Sequence, residues 1–224
     1  MRIYTWNMEH GSDRWTYLNQ HTDADALCLQ ETSNARFANF TAAVINNQNV
    51  FEGDLRLGST LRGVAMKILI AHFGVTGQNS CGVAVPDPTP APAPASLVIA
   101  PPNVSTRATP GLQLPALHNN VWVFSIHAPS TQGNAWQMAW IGNVLTAIAA
   151  NGGNWICAGD YNATPDSVQA VCPPGAVVVS PDGPTHRNGG TLDFAVASAA
   201  GLLTSATVLP GNISDHWPVK LEGP

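Results

Sequence analysis

The chain has 224 residues, of which 45% are hydrophobic and only 10% charged, a core-rich composition that excludes a disordered protein. Net charge is −5 and the only lysines are Lys67 and Lys220, which argues against tight, non-specific coating of nucleic acid through phosphate contacts. No run of about 18 apolar residues occurs, so no membrane span is expected.

Met1-Arg2 leads directly into Ile3-Tyr4-Thr5-Trp6, which reads as a first strand with no signal peptide ahead of it. That start fits a cytosolic protein, or an exported one whose leader has been removed. Ser12-Asp13 ahead of Arg14-Trp15-Thr16-Tyr17-Leu18 is a capped helix start. Ala24 to Leu29 is a buried strand. Residues 34–46 carry Phe37, Phe40, Ala43 and Val44 at helical spacing. Met66 to Ala71, Gly82 to Val85 and Leu97 to Ala100 read as strands, and Leu112 to Leu114 as a further short one. Within this series, Pro86-Asp87-Pro88-Thr89-Pro90-Ala91-Pro92-Ala93-Pro94 excludes a paired strand or a helix and predicts extended polyproline. Similar strands on both sides favour a long hairpin loop at about 86–96 over a linker between domains.

Val121 to Ile126 is another strand. Trp136 to Ala150 is an amphipathic helix ended by Gly152-Gly153, and Trp122, Trp136 and Trp140 read as core. Trp155 to Ala158, Ala176 to Val179, Gly190 to Leu192 and Phe194 to Val196 are short apolar runs. Cys28 and Cys157 lie inside buried strands as small apolar residues. Cys81 and Cys172 fall in loop-like sequence and could pair as a disulfide if the protein is exported, but the sequence does not place the two thiols together and leaves the pairing open.

Polar residues recur where these runs stop. Gln30-Glu31, His127, Gly159-Asp160-Tyr161-Asn162 and Asp193-Phe194 each follow an apolar run, and Ser214-Asp215-His216 comes near the end. Polar groups at the ends of buried strands gather at one rim of a sheet, where α/β enzymes place their chemistry. Carboxylates, imidazoles and an amide gathered there suit a divalent metal and acid–base work.

Taken together, Trp6-Asn7, Gln30-Glu31, His127, Gly159-Asp160-Tyr161-Asn162, Leu192-Asp193-Phe194 and Ser214-Asp215-His216 resemble the endonuclease/exonuclease/phosphatase superfamily, which includes DNase I-like nucleases and inositol polyphosphate phosphatases. Within it, Phe124-Ser125-Ile126-His127-Ala128, the run from Pro184 to Phe194 and the segment from Ser105 to Gly111 look most like the nuclease subunit of cytolethal distending toxins. The resemblance implies an α/β fold, a four-layer α/β sandwich of two packed mixed β-sheets flanked by helices, as one domain over residues 1–224.

It also implies roles. Glu31 becomes the main ligand of Mg²⁺ or Mn²⁺, supported by Asn7 and Asp215. His216 faces the attacked phosphate, with Asp193 holding its ring. Either His216 or Asp160 is the base. Asp160 and Asn162 orient the attacking water, although an Asx turn would use the same residues. His127 binds a phosphate oxygen or protonates the leaving oxygen, with Glu52 and Asp54 as candidate carboxylate partners. Arg107 clamps the phosphate, helped by Arg187 and Asn188. His186 lies in the toxin-like motif without a role legible from its chemistry. His10, His21, His72 and His118 fall outside the pattern and read as structural or surface residues.

The expected activity is metal-dependent hydrolysis of a phosphodiester, with DNA as substrate; the resemblance makes toxin delivery subunits possible partners and leaves a stand-alone secreted nuclease or a bacterial effector open. A phosphoinositide or other phosphomonoester phosphatase would use the same site. The Thr185-His186-Arg187 segment favours the nuclease, and the low lysine count weighs against a polyphosphorylated head group. A non-catalytic binding relative is disfavoured because every core position of the pattern is filled.

Overall fold

A computed structural model describes residues 1–11, 13–32, 40–45, 48–58, 63–71, 80–87, 95–99, 107–114, 119–130, 134–211 and 213–224. In chain order these form β1 (Arg2–Asn7), α1 (Arg14–Leu18), β2 (Ala26–Gln30), β3 (Thr41–Ile45), β4 (Gln48–Leu57), β5 (Val64–Ala71), β6 (Cys81–Pro86), β7 (Ser96–Ile99) and β8 (Thr109–Gln113). They continue with β9 (Trp122–His127), α2 (Asn134–Ala150), β10 (Trp155–Asp160), α3 (Pro165–Gln169), β11 (Val177–Val179), β12 (Asp193–Ala197), β13 (Ser205–Val208) and β14 (Val219–Glu222).

Eight strands make one sheet in the order β13-β14-β1-β2-β6-β5-β4-β3, and six make a second in the order β11-β12-β10-β9-β8-β7. Both are mixed: β1 runs parallel to β2 and β9 parallel to β10, while their other neighbours are antiparallel. The sheets pack face to face. Strand side chains alternate between faces, so Ile3, Ala26 and Cys28 of one sheet meet Val123, Ile156, Ala158 and Ala195 of the other in one buried cluster. The alternate residues point outward. Tyr4, Trp6, Leu27 and Leu29 pack with Trp15 and Leu18 of α1. Phe124, Trp155 and Cys157 pack under Trp140, Val144 and Ile148 of α2 and Val168 of α3. Helix, sheet, sheet, helix is the expected four-layer sandwich, of the DNase I type.

Several segments differ from the sequence reading. Residues 41–45, within the stretch spaced like a helix, are strand β3, paired with β4; residues 33–39 lie outside the described residues. Thr41, Val44 and Ile45 are β-branched, and extended pairing satisfies them better than a helical turn. The proline-rich stretch does not close a hairpin. β6 lies in the eight-stranded sheet and β7 at the edge of the six-stranded one, so 88–94, outside the described residues, joins different sheets. Residues 190–192 are not a strand; β12 opens at Asp193. β4, β13, β14 and α3 have no counterpart in the sequence reading. β4 alternates exposed polar residues with half-buried ones, which weakens its apolar signal.

All four cysteines are free. Cys81 opens β6 and its Sγ donates to the Ser125 carbonyl at 2.9 Å, between the sheets. Cys172 donates to Val168 O at 3.3 Å and packs with the helices on the far side of the six-stranded sheet. A sheet stands between the two thiols. Four thiols are therefore expected to titrate in the denatured, unreduced protein.

Gly159 is required for strand contact. A Cβ there would lie 1.9 Å from the Ile126 carbonyl oxygen of the adjacent strand. Gly159→Ala must push β9 and β10 apart, and urea unfolding should show a loss of about 3 kcal/mol, the upper end of the usual overpacking cost.

Candidate active site

The alternation that builds the inter-sheet core also selects the site. Residues 3 and 5 of β1, 26 and 28 of β2, 123 and 125 of β9, and 156 and 158 of β10 face inward. The next residues of that parity are Asn7, Gln30, His127 and Asp160. Asp193 joins them because β12 is antiparallel to β10, so its first residue lies opposite Asp160, the last residue of β10. His127 is opposite Asp160 on the other side. Gln30 seals the apolar core beneath this row, donating to Ser125 Oγ of the opposite sheet at 3.0 Å and to Thr5 Oγ1 of the neighbouring strand at 3.4 Å.

Asp160 is the hub. Its side chain is 1% exposed. Oδ2 accepts from Asn7 Nδ2 at 3.1 Å and Asn162 Nδ2 at 3.2 Å, and Oδ1 accepts from Asn162 N at 2.8 Å. His127 Nε2 and His216 Nε2 lie 3.6 and 3.7 Å from Oδ2. On the other edge of His216, Nδ1–H donates to Asp193 Oδ2 at 2.8 Å. Asp193 is fixed by Thr185, whose buried Oγ1 accepts the amide hydrogens of Leu192 and Asp193 at 2.8 and 2.9 Å. The His216 segment is tied to β1: Trp6 Nε1 donates to His216 O at 3.0 Å, and Ser214 Oγ donates to Asn7 O at 2.9 Å.

This packing moves the ionisation of each group. Burial first, then the charge of Asp193, push Asp160 up to about 7, against the His216 charge and the hydrogen bonds from Asn162 and Asn7. Burial pulls His216 down. The hydrogen bond to Asp193 and the charges of Asp193, Asp160 and Asp215 outweigh it and raise His216 to about 9. His127 goes the other way: burial, with Arg107, His216 and His10 nearby, holds it well below the ordinary histidine range. At neutral pH His216 is an imidazolium and His127 is neutral.

Glu31 and Asp215 flank the hub. Glu31 Oε2 lies 3.0 Å from His10 Nε2, and Oε1 lies 3.8 Å from His127 Nε2. Asp215 Oδ2 lies 3.7 Å from His186 Nε2, and the Asp215 amide donates to Glu9 Oε2 at 3.3 Å. Asn7 Oδ1 accepts from the Glu9 amide at 3.1 Å. Left-handed backbone concentrates here: φ is 44° at Glu9, 58° at His10, 52° at Glu31 and 48° at Asn162. Such conformations cost free energy in non-glycine residues and cluster at functional sites.

The structure thus brings Asn7, His127, Asp160, Asn162, Asp193 and His216 together. Asp160, Asp193 and His216 form one group whose ligating atoms lie within 4.8 Å of one another, and His186, Asp215 and His216 form another; either could hold a metal. Among the described residues, no such group of three contains Glu31. Arg107 Nη1 donates to His127 O at 3.2 Å and Ala128 O at 3.0 Å, at the end of β9. Arg187 and Asn188 sit on an exposed turn tethered by Arg187 N to Asp215 O at 2.8 Å; their side chains hold no hydrogen bond or ion pair among the described residues.

Glu52 and Asp54 do not partner His127. Both lie on β4, toward the far edge of the eight-stranded sheet, where Asp54 pairs with Lys67. The carboxylates near His127 are Glu31 and Asp160. His10, which the sequence reading set aside, is at the rim; its only signal is its place three residues after Asn7. Thr185 and Glu9 were also missed, because buried hydroxyl and loop carboxylate roles leave no periodic trace.

No curated protein sequence matches the chain significantly. Among solved structures, the Haemophilus ducreyi cytolethal distending toxin aligns over 98% of this chain and 96% of its own, with 22% identity and a TM-score of 0.77. A structure of CdtB, the biologically active subunit of cytolethal distending toxin, aligns over 100% of this chain and 97% of its own, with 21% identity and a TM-score of 0.78. A humanized D. rerio TDP2 aligns over 99% and 97%, with 14% identity and a TM-score of 0.63. At these identities the likeness concerns the fold. The sequence itself carries the family: residues 4–216 match the profile of the Endonuclease/Exonuclease/phosphatase family, and the chain belongs to it.

Proposed function

We propose that the protein is a metal-dependent phosphodiesterase that cleaves DNA, an exported toxin-like nuclease brought to its substrate by delivery subunits. The observation that carries the reading is the Asp160 hub, a buried carboxylate set between a neutral and a charged imidazole. The likeness to toxin structures and the Thr185-His186-Arg187 segment favour DNA over a phosphorylated lipid.

Glu31, Asp215 and Asn7 offer carboxylate and amide oxygens, the donors a hard divalent cation such as Mg²⁺ or Mn²⁺ takes. Glu31 lies against His10 and His127, with the Arg107 guanidinium acting on it through its charge, and Asp215 lies against His186. By donor type these residues fit such an ion, although among the described residues Glu31 is not in a preformed cluster of three ligating side chains. Bound there, it supplies positive charge to the phosphate and the leaving oxygen.

The chain's own groups divide the remaining work. A base is most effective when its pKa lies near the working pH. Asp160, raised to about 7, meets that condition, whereas His216, raised to about 9, starts protonated. Asp160 takes the proton of the attacking water, with Asn162 and Asn7 holding its oxygens. His216, kept charged by Asp193, stabilises the oxygens of the pentacovalent transition state. His127, being neutral, binds a phosphate oxygen and does not protonate the leaving group. Arg107, held at the end of β9 by the His127 and Ala128 carbonyls, brings a guanidinium charge to the phosphate.

Supercoiled plasmid should be nicked in Mg²⁺, and EDTA should stop it. His216→Ala and Asp160→Ala should each lower the nicking rate by about 10³-fold or more, as loss of a principal transition-state or proton-transfer group does, with unchanged circular dichroism. Release of phosphate from phosphoinositides without nicking would overturn the nuclease reading.

NMR titration of the metal-free protein reports these ionisations directly. The His216 ring should remain protonated at pH 7 and titrate near 9, and Asp193→Asn should bring that titration down. Because the folded value lies above the ordinary 6.5 or so of histidine, this pairing stabilises the fold fully below about pH 6.5. It is lost as the pH rises through about 9.

A further inference from the structure

We propose that His10 is a ligand of the divalent metal held by Glu31, so that the site has an imidazole donor and selects Mn²⁺ over Mg²⁺. This rests on the reading of Glu31 as a metal ligand made above.

His10 follows β1 by three residues and Glu31 follows β2 by one. The two strands are parallel neighbours, in register from Ile3↔Ala26 to Asn7↔Gln30. The backbone continues that pairing beyond the strands: Met8 N donates to Gln30 O at 2.9 Å and His10 N to Glu31 O at 3.0 Å. Both residues then turn into the left-handed region, with φ of 58° and 52°. The result is that two side chains leave adjacent chain segments and converge, His10 Nε2 standing 3.0 Å from Glu31 Oε2.

That separation has a coordination meaning. Neighbouring ligands of an octahedral ion bound at 2.0–2.1 Å are about 3.0 Å apart. The two donor atoms already have it, and both side chains are partly open, 37% and 22% exposed, so water can complete the shell. The other oxygen of Glu31 faces His127, so the carboxylate points one oxygen toward the phosphate-binding histidine and one toward His10.

An imidazole changes which ion is held. Carboxylate, carbonyl and water ligands suit Mg²⁺ and Mn²⁺ alike, whereas an imidazole nitrogen suits transition metals such as Zn, Cu, Fe and Ni; Mn²⁺ stands at the weak end of that transition series, and Mg²⁺ lies outside it. A site built only of Glu31, Asn7 and Asp215 would show little preference for Mn²⁺. One completed by His10 prefers it.

The experiment uses the whole protein, stripped of metal and titrated with Mn²⁺ under electron paramagnetic resonance, with ¹⁴N couplings read by electron spin-echo modulation. The expected result is Mn²⁺ binding with a directly coordinated imidazole nitrogen. His10→Ala should remove that coupling, weaken Mn²⁺ roughly tenfold or more and leave competing Mg²⁺ nearly unaffected. His127→Ala and His186→Ala should keep the coupling. The thermal midpoint of metal-free His10→Ala should match the parent, because the His10 side chain is more than a third exposed and lies outside the core. If the coupling survives in His10→Ala, or Mn²⁺ and Mg²⁺ weaken together, His10 is not a ligand and its contact with Glu31 is an ordinary ion pair. In that case, loss of Mn²⁺ in Glu31→Gln still upholds the metal reading of Glu31. If Glu31→Gln binds Mn²⁺ as the parent does, both fall.

Discussion

The structure depends on the alternation of strand side chains across two sheets packed face to face. Inward positions covered by the opposite sheet must be apolar or have their polar groups paired: Ile3, Ala26, Cys28, Val123, Ile156 and Ala158 are the first kind, and Thr5 and Ser125, both bonded by Gln30, the second. At the strand ends the same parity holds but the constraint changes, because polar groups there can reach one another or solvent. Asn7, Gln30, His127 and Asp160 follow in that inward register. The site is the polar edge of the core itself, and its precision comes from the rigidity of the sheets.

That origin explains the electrostatics. Carboxylates placed at the end of a dry interface lose hydration, so their charged forms are disfavoured unless neighbours compensate. Asp193 is compensated by His216 at 2.8 Å. Asp160 is compensated only partly, through amide donors and a more distant imidazolium, and is the group whose proton is easiest to exchange near neutrality. Two carboxylates one strand apart on a sheet thus acquire different work from their partners alone. Thr185 belongs to the same device, since its hydroxyl sets the backbone from which Asp193 points.

Most of the fold and the centre of the site could be read from the sequence, for a physical reason. Buried strands such as 26–30 and 155–160 announce themselves by unbroken apolar runs, and the residue that breaks each run is the one at the rim. Residues 41–45 misled because a short window of Phe, Ala and Val spacing fits a helix as well as a strand. Polar strands such as β4 hide because only one face is covered. Cys81 looked like a loop residue because its strand begins with it. His10 and Glu9 could not be found by periodicity: they act from a loop whose left-handed backbone is decided by tertiary contacts. The direction of the proline-rich connection was also hidden, since strand signals do not say which sheet a strand joins.

The stitching of β1 to the segment before β14 has a consequence for how the site assembles during synthesis. Trp6 and Asn7 receive or donate hydrogen bonds to His216 and Ser214, more than 200 positions later, and β14 lies beside β1 in the sheet. Contacts of such sequence separation form late, after the loop entropy has been overcome. A ribosome-bound chain that has not yet emitted Ser214-Asp215-His216 therefore holds Asp160 and Glu31 without the imidazolium that completes them. The cluster around Asp160 is therefore incomplete until that segment docks beside β1, and a single proteolytic cut that releases the segment would take His216 away from Asp160 and Asp193 together.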